Sequence, residues 1–244
     1  MTQVYCILLL KYHHHLKSLS VIHSILLGSR LHLLQGNLAQ VRAHLLPLLA
    51  SAKEKLVEYG THDVPIYLLA TQGMRNLPEE GRILILNFAH TVMNEERHNG
   101  DDEIFRVGNI PDALDQPDRS ARVIGGDVEG LLAWVAVNHG FVNPKDPTAG
   151  IFEIGGASMQ IAFDNGNAGG DNVKQVCLST GVHNVYTVSW SNYGVDSVWE
   201  RVAAAIPEVE AGPRLHPCVR LNQRVTVNGI DYTGSPKVGV KWHE

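Results

Sequence analysis

Apolar residues follow a helical spacing from about residue 38 onward. Six of them recur at every third or fourth position: Val41, Leu45, Leu48, Leu49, Ala52 and Leu56. This spacing predicts an amphipathic helix, and Pro47 predicts a kink or a restart within it because proline has no backbone N–H. Pro78, followed by two glutamates, predicts the start of a second helix. A third helix is expected over residues 127–139, ended by Gly140.

Short apolar runs between these helices predict buried strands at residues 64–70, 103–108 and 121–126. Further along, two runs flank Gly155 and Gly156, a pattern typical of a β-hairpin. The strands of this hairpin are expected at residues 150–154 and 158–164. Two more strands are expected at 172–179 and 183–190, a helix at 195–205, and two short strands near Val225 and Val238. Strands broken by helices in both halves predict an α/β chain with mixed sheets in two lobes.

The first 36 residues differ from the rest of the chain. They contain five histidines, three of them adjacent, and show no clear apolar period. Three adjacent histidines cannot all face one metal ion from a regular element, so a solvated tract is expected. We therefore predict a poorly ordered segment over residues 1–36, a first lobe over 37–145 and a second lobe over 146–244.

Composition removes several classes of protein. The net charge of −5 disfavours a nucleic-acid binder, which carries a basic excess. No apolar run reaches the roughly 18 residues of a transmembrane helix, so none is predicted in this chain. Three cysteines are too few for a disulfide scaffold, although Cys177 and Cys218 could pair in an oxidising lumen and leave Cys6 over.

The tip of the predicted hairpin offers anion-binding chemistry. Backbone N–H groups of Gly155 and Gly156 could converge on a phosphate, and Glu153 could hold a metal-bound water. A plain tight turn would explain the two glycines equally well. The serine-hydrolase elbow G-x-S-x-G does not fit, because Gln160 stands where its last glycine is required.

Glu129 is a candidate general base. It lies in the first turn of the third predicted helix, where the helix dipole favours an ionised carboxylate at neutral pH. An ordinary helix-start acid is the alternative interpretation. Thr71 and Gln72 follow a buried strand, a usual place for ligand contacts in α/β proteins and equally the place of an ordinary turn.

Four ordered blocks together resemble the apyrase, or nucleoside triphosphate diphosphohydrolase, family. ATQGMR (70–75) resembles the family's ATAGMR, and GGDVEGLLAWVAVNH (125–139) its G-x-x-E-G-x-Y-x-W-x-x-x-N-Y. IFEIGGASMQIAF (151–163) resembles LDLGGASTQIxF, and VYTVSWSNYGVDSV (185–198) the next block, followed by HPC (216–218). The resemblance covers roughly residues 40–220.

The resemblance implies an actin-like (ribonuclease H-like) two-lobe fold that hydrolyses nucleoside di- or triphosphates by direct water attack. It implies Mg²⁺ or Ca²⁺ as cofactor and a Golgi, endomembrane-lumen or secreted location, in a family whose members are often membrane-anchored. The implied roles are carried by eight residues: Glu129 as the base; Ser158 and Gln160 holding the water; Thr71 and Gln72 on the terminal phosphate; Gly155, Gly156 and Ala157, with Ser158, as a phosphate loop. Glu153 would be a metal-side acid acting through water.

The chain departs from the family at its first phosphate loop. The motif DAGSSGTR or DAGSSGSR is absent, and the nearest text, HSILLGSRLHLL (23–34), has His23 in place of the aspartate and Ile25, Leu26 and Leu27 in place of small residues. Glu153 also replaces an aspartate, which extends the carboxylate by about 1.5 Å. The chain stops before the family's last elements. We therefore expect an incomplete first lobe, a truncated second lobe and weak or no activity.

Two alternatives remain for the function. A non-catalytic member that binds nucleotide, or only folds as a partner, is favoured by the altered first loop. A relative that acts on polyphosphate is disfavoured by the blocks around Tyr193 and Cys218, which resemble apyrase features.

Overall fold

A computed structural model describes most of the chain and divides it into two compact units, Met1–Gly194 and Val195–Glu244. The described residues are 4–9, 22–27, 37–58, 64–99, 102–103, 105–107, 120–141, 147–166, 168–178, 180–227 and 229–234. The lobe boundary near residue 145 is not tested by this division and stays a prediction. Most of residues 1–36 lie outside the described residues, and so does the strand expected near Val238.

Four pairs of strands lie in the described N-terminal part of the first unit. Strands β1 (Val4–Leu9) and β2 (Ile22–Leu27) pair antiparallel. The predicted strand over 64–70 is divided at Tyr67, because its two pieces pair parallel with different partners. The pairs are β3 (Val64–Ile66) with β7 (Phe105–Val107) and β4 (Leu68–Ala70) with β8 (Ala121–Val123), while β5 (His98–Asn99) pairs antiparallel with β6 (Asp102–Glu103).

Two long helices cover these strands. Helix α1 (Leu38–Glu58) begins where Asn37 Oδ1 accepts hydrogen bonds from the N–H groups of Ala39 (3.0 Å) and Gln40 (3.3 Å). It continues through Pro47 without a restart, and all six residues of the predicted apolar stripe are buried. The short helix α2 (Gln72–Arg75) follows β4, and α3 (Glu79–Glu95) begins after Pro78 as predicted. Leu45, Ile85, Val92 and Phe105 lie in the shared core.

The rest of the first unit is one helix on an antiparallel sheet. Helix α4 (Gly126–Phe141) extends past Gly140, where the sequence predicted its end. The sheet has the order β11 (Val173–Leu178), β12 (Gly181–Ser191), β10 (Ser158–Asp164) and β9 (Ile151–Ile154), so the predicted hairpin is confirmed as β9–β10. Trp134 of α4 packs in a core with Ala162 and Val185 of the sheet.

The second unit has a helix and a small mixed sheet. Helix α5 (Val195–Ala205) has the predicted bounds, and β15 (Ile230–Gly234) pairs with β13 (Arg214–His216) in parallel and with β14 (Arg224–Val227) antiparallel. The His216 ring stacks on Trp199 at 3.8 Å between centroids and meets Tyr232 edge-on at 5.4 Å.

Two sequence expectations concern cysteines and membranes. Cys177 and Cys218 are both free and exposed, so the conditional disulfide is not formed in this structure. Within the part of the chain that the structure describes, no helix combines the length and apolar character needed to cross a membrane.

Helix α4 approaches strand β12 so closely that only glycine fits at its first residue. A Cβ added at Gly126 would overlap Oγ and Cβ of Ser189. Because Ser189 Cβ is bound to the strand backbone, it cannot rotate away. One turn later, a Cβ at Gly130 would lie 2.8 Å from Thr187 Oγ1 and 3.3 Å from Gln160 Cβ.

We expect Gly126→Ala to lower the free energy of unfolding by about 1–3 kcal/mol, because the helix must move away from the sheet. Gly81→Ala in α3 is the matched control, since a Cβ there meets nothing within 4 Å. It should instead stabilise the protein by about 0.5–1 kcal/mol through helix propensity. Urea unfolding of both variants checks this, and equal effects would contradict the described contact.

Candidate active site

Two parallel strands bring the candidate residues of the N-terminal part to one edge. Strands β4 and β8 end side by side, and Ile124 N–H donates to Ala70 O at 2.9 Å. Helix α2 therefore starts next to helix α4. Thr71 and Gln72, at the first of these starts, are 3% and 5% exposed, so the predicted turn is buried in the protein.

Arg75 connects the two helix starts. Its Nε donates to Gln72 Oε1 at 2.8 Å, its Nη1 to Ile124 O at 2.6 Å, and its Nη2 to Glu129 Oε2 at 3.2 Å. The last contact is an ion pair with a carboxylate that is almost fully buried. Removing either partner would leave a buried charge without compensation.

Burial raises the pKa of Glu129 to about 7, because the carboxylate is taken out of water. Arg75 opposes this shift, and the nearby negative charge of Glu153 adds to it. The expectation that this group is ionised at neutral pH therefore needs correction, since burial brings its pKa to about 7. A carboxylate with this pKa changes protonation near pH 7, as a general base for water requires.

The hairpin tip between β9 and β10 is a buried loop. Gly155, Gly156, Ala157 and Ser158 are all buried, and Gly155 N–H donates to Ser158 O at 2.9 Å. The turn after β12 lies against this loop, since a Cβ at Gly194 would overlap the backbone of Gly156 and Ala157. Asn192 N–H also donates to Ala157 O at 2.7 Å. The loop conformation is thus fixed from outside by a second turn.

Gln160 lies next to this loop and is completely buried. Its Nε2 donates to Ser158 Oγ at 2.8 Å and to Ser189 Oγ at 3.0 Å. Its Oε1 is buried and accepts no hydrogen bond from the residues that the structure describes. A buried acceptor without a donor costs about 1–3 kcal/mol, so this oxygen is suited to a water or a ligand.

Glu153 stands opposite Gln160 in the β9–β10 register and is half-buried. It is close enough to raise the pKa of Glu129. The two predicted roles, base and metal-side acid, therefore fall on carboxylates that influence each other across the α4–sheet packing. Within the described residues, no group of three or more metal-ligating side chains is found.

The structure also shows polar residues that the sequence did not single out for a role. Arg75 was visible only as the basic residue after the Gln-Gly turn, and Ser189 and Ser191 as part of a strand end. Ser191 Oγ donates to Gln72 Oε1 at 2.9 Å across 119 positions of sequence. No local pattern indicates such a contact, because it depends on how distant strands pack.

Comparisons with known proteins identify the family. A model of the GDA1/CD39 (nucleoside phosphatase) family matches residues 34–238. The chain belongs to this family. The match contains the turn after β4, the start of α4 and the β9–β10 hairpin, and the resemblance noted in the sequence is confirmed.

Named relatives are similar over most of this chain. The Golgi apyrase of Schizosaccharomyces pombe is 28% identical over 211 residues, which cover 80% of this chain and 34% of that protein. Human ectonucleoside triphosphate diphosphohydrolase 2 is 31% identical over 172 residues, which cover 63% of this chain and 30% of that protein. The chain thus spans about a third of the length of the curated relatives it matches.

A solved structure supports the fold. The crystal structure of nucleoside triphosphate hydrolases from Neospora caninum matches with a TM-score of 0.51 and 23% identity, over 77% of this chain and 37% of that chain. At this identity the likeness shows the fold alone. The expected actin-like phosphatase fold is confirmed.

The raised pKa of Glu129 should make stability depend on pH. Between the unfolded pKa of 4.5 and the folded pKa of about 7, the folded state binds the additional proton, so stability falls as pH rises through this window. Between about pH 5 and about pH 8, the titration of Glu129 should lower the free energy of unfolding by about 2–3 kcal/mol. The Glu129→Gln side chain does not ionise, so this variant should not show that loss of stability. Urea unfolding of both proteins at the two pH values checks this, and parallel pH dependence would contradict the assignment.

Proposed function

We propose that the site around Glu129 hydrolyses the terminal phosphate of nucleoside di- or triphosphates by direct attack of water. The observation that carries this proposal is the close packing of α4 on the sheet, with Gly130 against Gln160. Gly130 directly follows Glu129, a buried carboxylate of pKa about 7, and Gln160 donates to Ser158 Oγ. Family membership supplies the reaction class, since the family is one of nucleoside phosphatases.

The water would be held by Gln160 and Ser158 and deprotonated by Glu129. Gln160 Oε1 is the buried acceptor that lacks a donor, and Ser158 Oγ is hydrogen-bonded to the same amide. Gly155, Gly156, Ala157 and Ser158 would hold the phosphate from one side. The start of α2, with Thr71 and Gln72, would contact it from another. No covalent intermediate is needed, because the base acts on water.

A divalent cation, Mg²⁺ or Ca²⁺, fits Glu153 as its protein anchor. Mg²⁺ usually keeps several waters and binds through one or two carboxylates plus substrate phosphates, which matches a single half-buried carboxylate next to the phosphate loop. When bound, the cation would neutralise phosphate charge. The names of the relatives support a lumenal or secreted location, in the Golgi or outside the cell.

The altered first phosphate loop limits this proposal to slow turnover. Residues 22–27, which include Ile25, Leu26 and Leu27, form strand β2, with Leu27 opposite Val4. Losing one preorganised donor costs about 10²–10³ in rate, and a loop supplies several. This observation favours the second candidate function, a nucleotide-binding family member with little or no catalysis.

The experiment is single-turnover phosphate release from Mg²⁺–ATP and Mg²⁺–ADP, with the S. pombe Golgi apyrase assayed alongside. We expect release at least about 10²-fold slower than in that enzyme, and loss of release with a chelator. Glu129→Gln should slow the remaining release by about 10²-fold or more while nucleotide Kd stays within about threefold, because a base acts in the transition state.

Glu79→Gln is the matched control for this variant. Glu79 is also an acid in the first turn of a helix, but it is exposed on α3. It should leave release unchanged. Release as fast as that of the S. pombe enzyme would contradict the account of the first loop, and equal release by the chain and Glu129→Gln would contradict the assignment of the base.

A further inference from the structure

Protein partners take three of the four hydrogen-bonding positions of the Gln72 side-chain amide. Its Oε1 accepts two hydrogen bonds, from Arg75 Nε at 2.8 Å and from Ser191 Oγ at 2.9 Å. Its Nε2 donates to Asn76 Oδ1 at 2.6 Å. The residue is only 5% exposed. A glutamine bound in this way on both ends of its amide has one orientation.

This amide fixes the guanidinium of Arg75. A guanidinium is planar, so the directions of its N–H groups are set together. With Nε on Gln72 and Nη1 on Ile124 O at 2.6 Å, the direction of Nη2 toward Glu129 is determined. The contact engages Oε2 of Glu129, which leaves Oε1 as the oxygen to accept a proton.

We propose that Gln72 is a positioning residue, which holds Arg75 against Glu129 and so fixes the orientation of the base. Its bond to Ser191 ties this arrangement to the end of β12, the strand that also provides Ser189 for Gln160. The base and the water-holding amide are therefore aligned to the same strand. The proposal rests on the proposed function of Glu129, and it assigns to the Gln72 side chain a role separate from phosphate contact.

The test is the exchange of the Arg75 Nε–H with water, measured by NMR on ¹⁵N-arginine-labelled protein. Arg75→Lys identifies the signal by its disappearance. Gln72→Met keeps the size of the side chain and removes its hydrogen bonds. A hydrogen bond to a charged group contributes about 1.5–3 kcal/mol, so exchange should become at least about tenfold faster. Gln72→Glu keeps the acceptor and should restore exchange to within about threefold of the unmodified chain.

Gln40→Met is the matched control, because Gln40 is exposed on α1. It should leave the Arg75 signal unchanged. If Gln72→Met does not fold, Ser191→Ala is the second test. Ser191 is exposed, and this variant removes the hydrogen bond from Ser191 Oγ to Gln72 Oε1. Exchange of the Arg75 Nε–H should then become about threefold faster. Unchanged exchange in a folded Gln72→Met, or unchanged exchange in Ser191→Ala, would overturn the proposal.

Phosphate release by the same variants separates this proposal from the function on which it rests. Faster Arg75 exchange in Gln72→Met together with no release from any protein, including the unmodified chain, would contradict the proposed function and support the Gln72 assignment. Release that slows in Gln72→Met and recovers in Gln72→Glu, with the exchange rates changing in parallel, would support both.

Discussion

The close packing of the first turn of α4 against β12 and β10 is the constraint on which the site depends. Glycine at position 126 lets the helix backbone reach Ser189, and Gly130 lies against Thr187 and Gln160. Thr187 Oγ1 also donates to Asp127 O at 2.9 Å, which joins the strand directly to the helix start. A larger residue at either glycine would separate Glu129 from the residues that surround it. The arrangement of the candidate site thus follows from a steric condition.

The same packing has a cost in electrostatic free energy. Glu129 is buried beside a second acid, Glu153, and only Arg75 offsets this among the groups that shift its pKa. Active sites commonly hold carboxylates in such environments, since a pKa near neutrality is needed for proton transfer at physiological pH. Burying the carboxylate lowers the stability of the fold, and the same burial raises the pKa toward neutrality. The hydrogen bonds that the Arg75 guanidinium donates to Gln72 Oε1 and Ile124 O keep the compensating charge in place.

Much of the fold could be predicted from local patterns. The stripe of α1, the bounds of α5 and the β9–β10 hairpin each depend on residues close in sequence, where periodicity and turn chemistry act. The break at Tyr67 could not be predicted, because it arises from parallel pairing with β7 and β8, which lie far along the chain. The predicted restart at Pro47 does not occur, since α1 is continuous and has buried residues on both sides of the proline, while a kink there stays a prediction.

The candidate residues could be chosen from the sequence, whereas their electrostatics could not. Glu129, Ser158 and Gln160 could be chosen from motifs, and the structure brings their elements together. The pKa of Glu129 could not be foreseen, since desolvation depends on what covers the carboxylate and not on its helix position. Ser191 joins Gln72 and Arg75 from 119 positions away in sequence, so only the folded chain shows that the three residues form one network.

A crystal structure of the chain with Mg²⁺, a nucleoside diphosphate and orthovanadate, which mimics phosphate during transfer, would show whether Glu129, the 155–158 loop and Gln160 form one phosphate-transfer site. We expect vanadate within hydrogen-bonding distance of the backbone N–H groups of the loop, with an apical oxygen shared by Glu129 and Gln160. Vanadate bound elsewhere, with Glu129 still covered by the protein, would contradict this expectation.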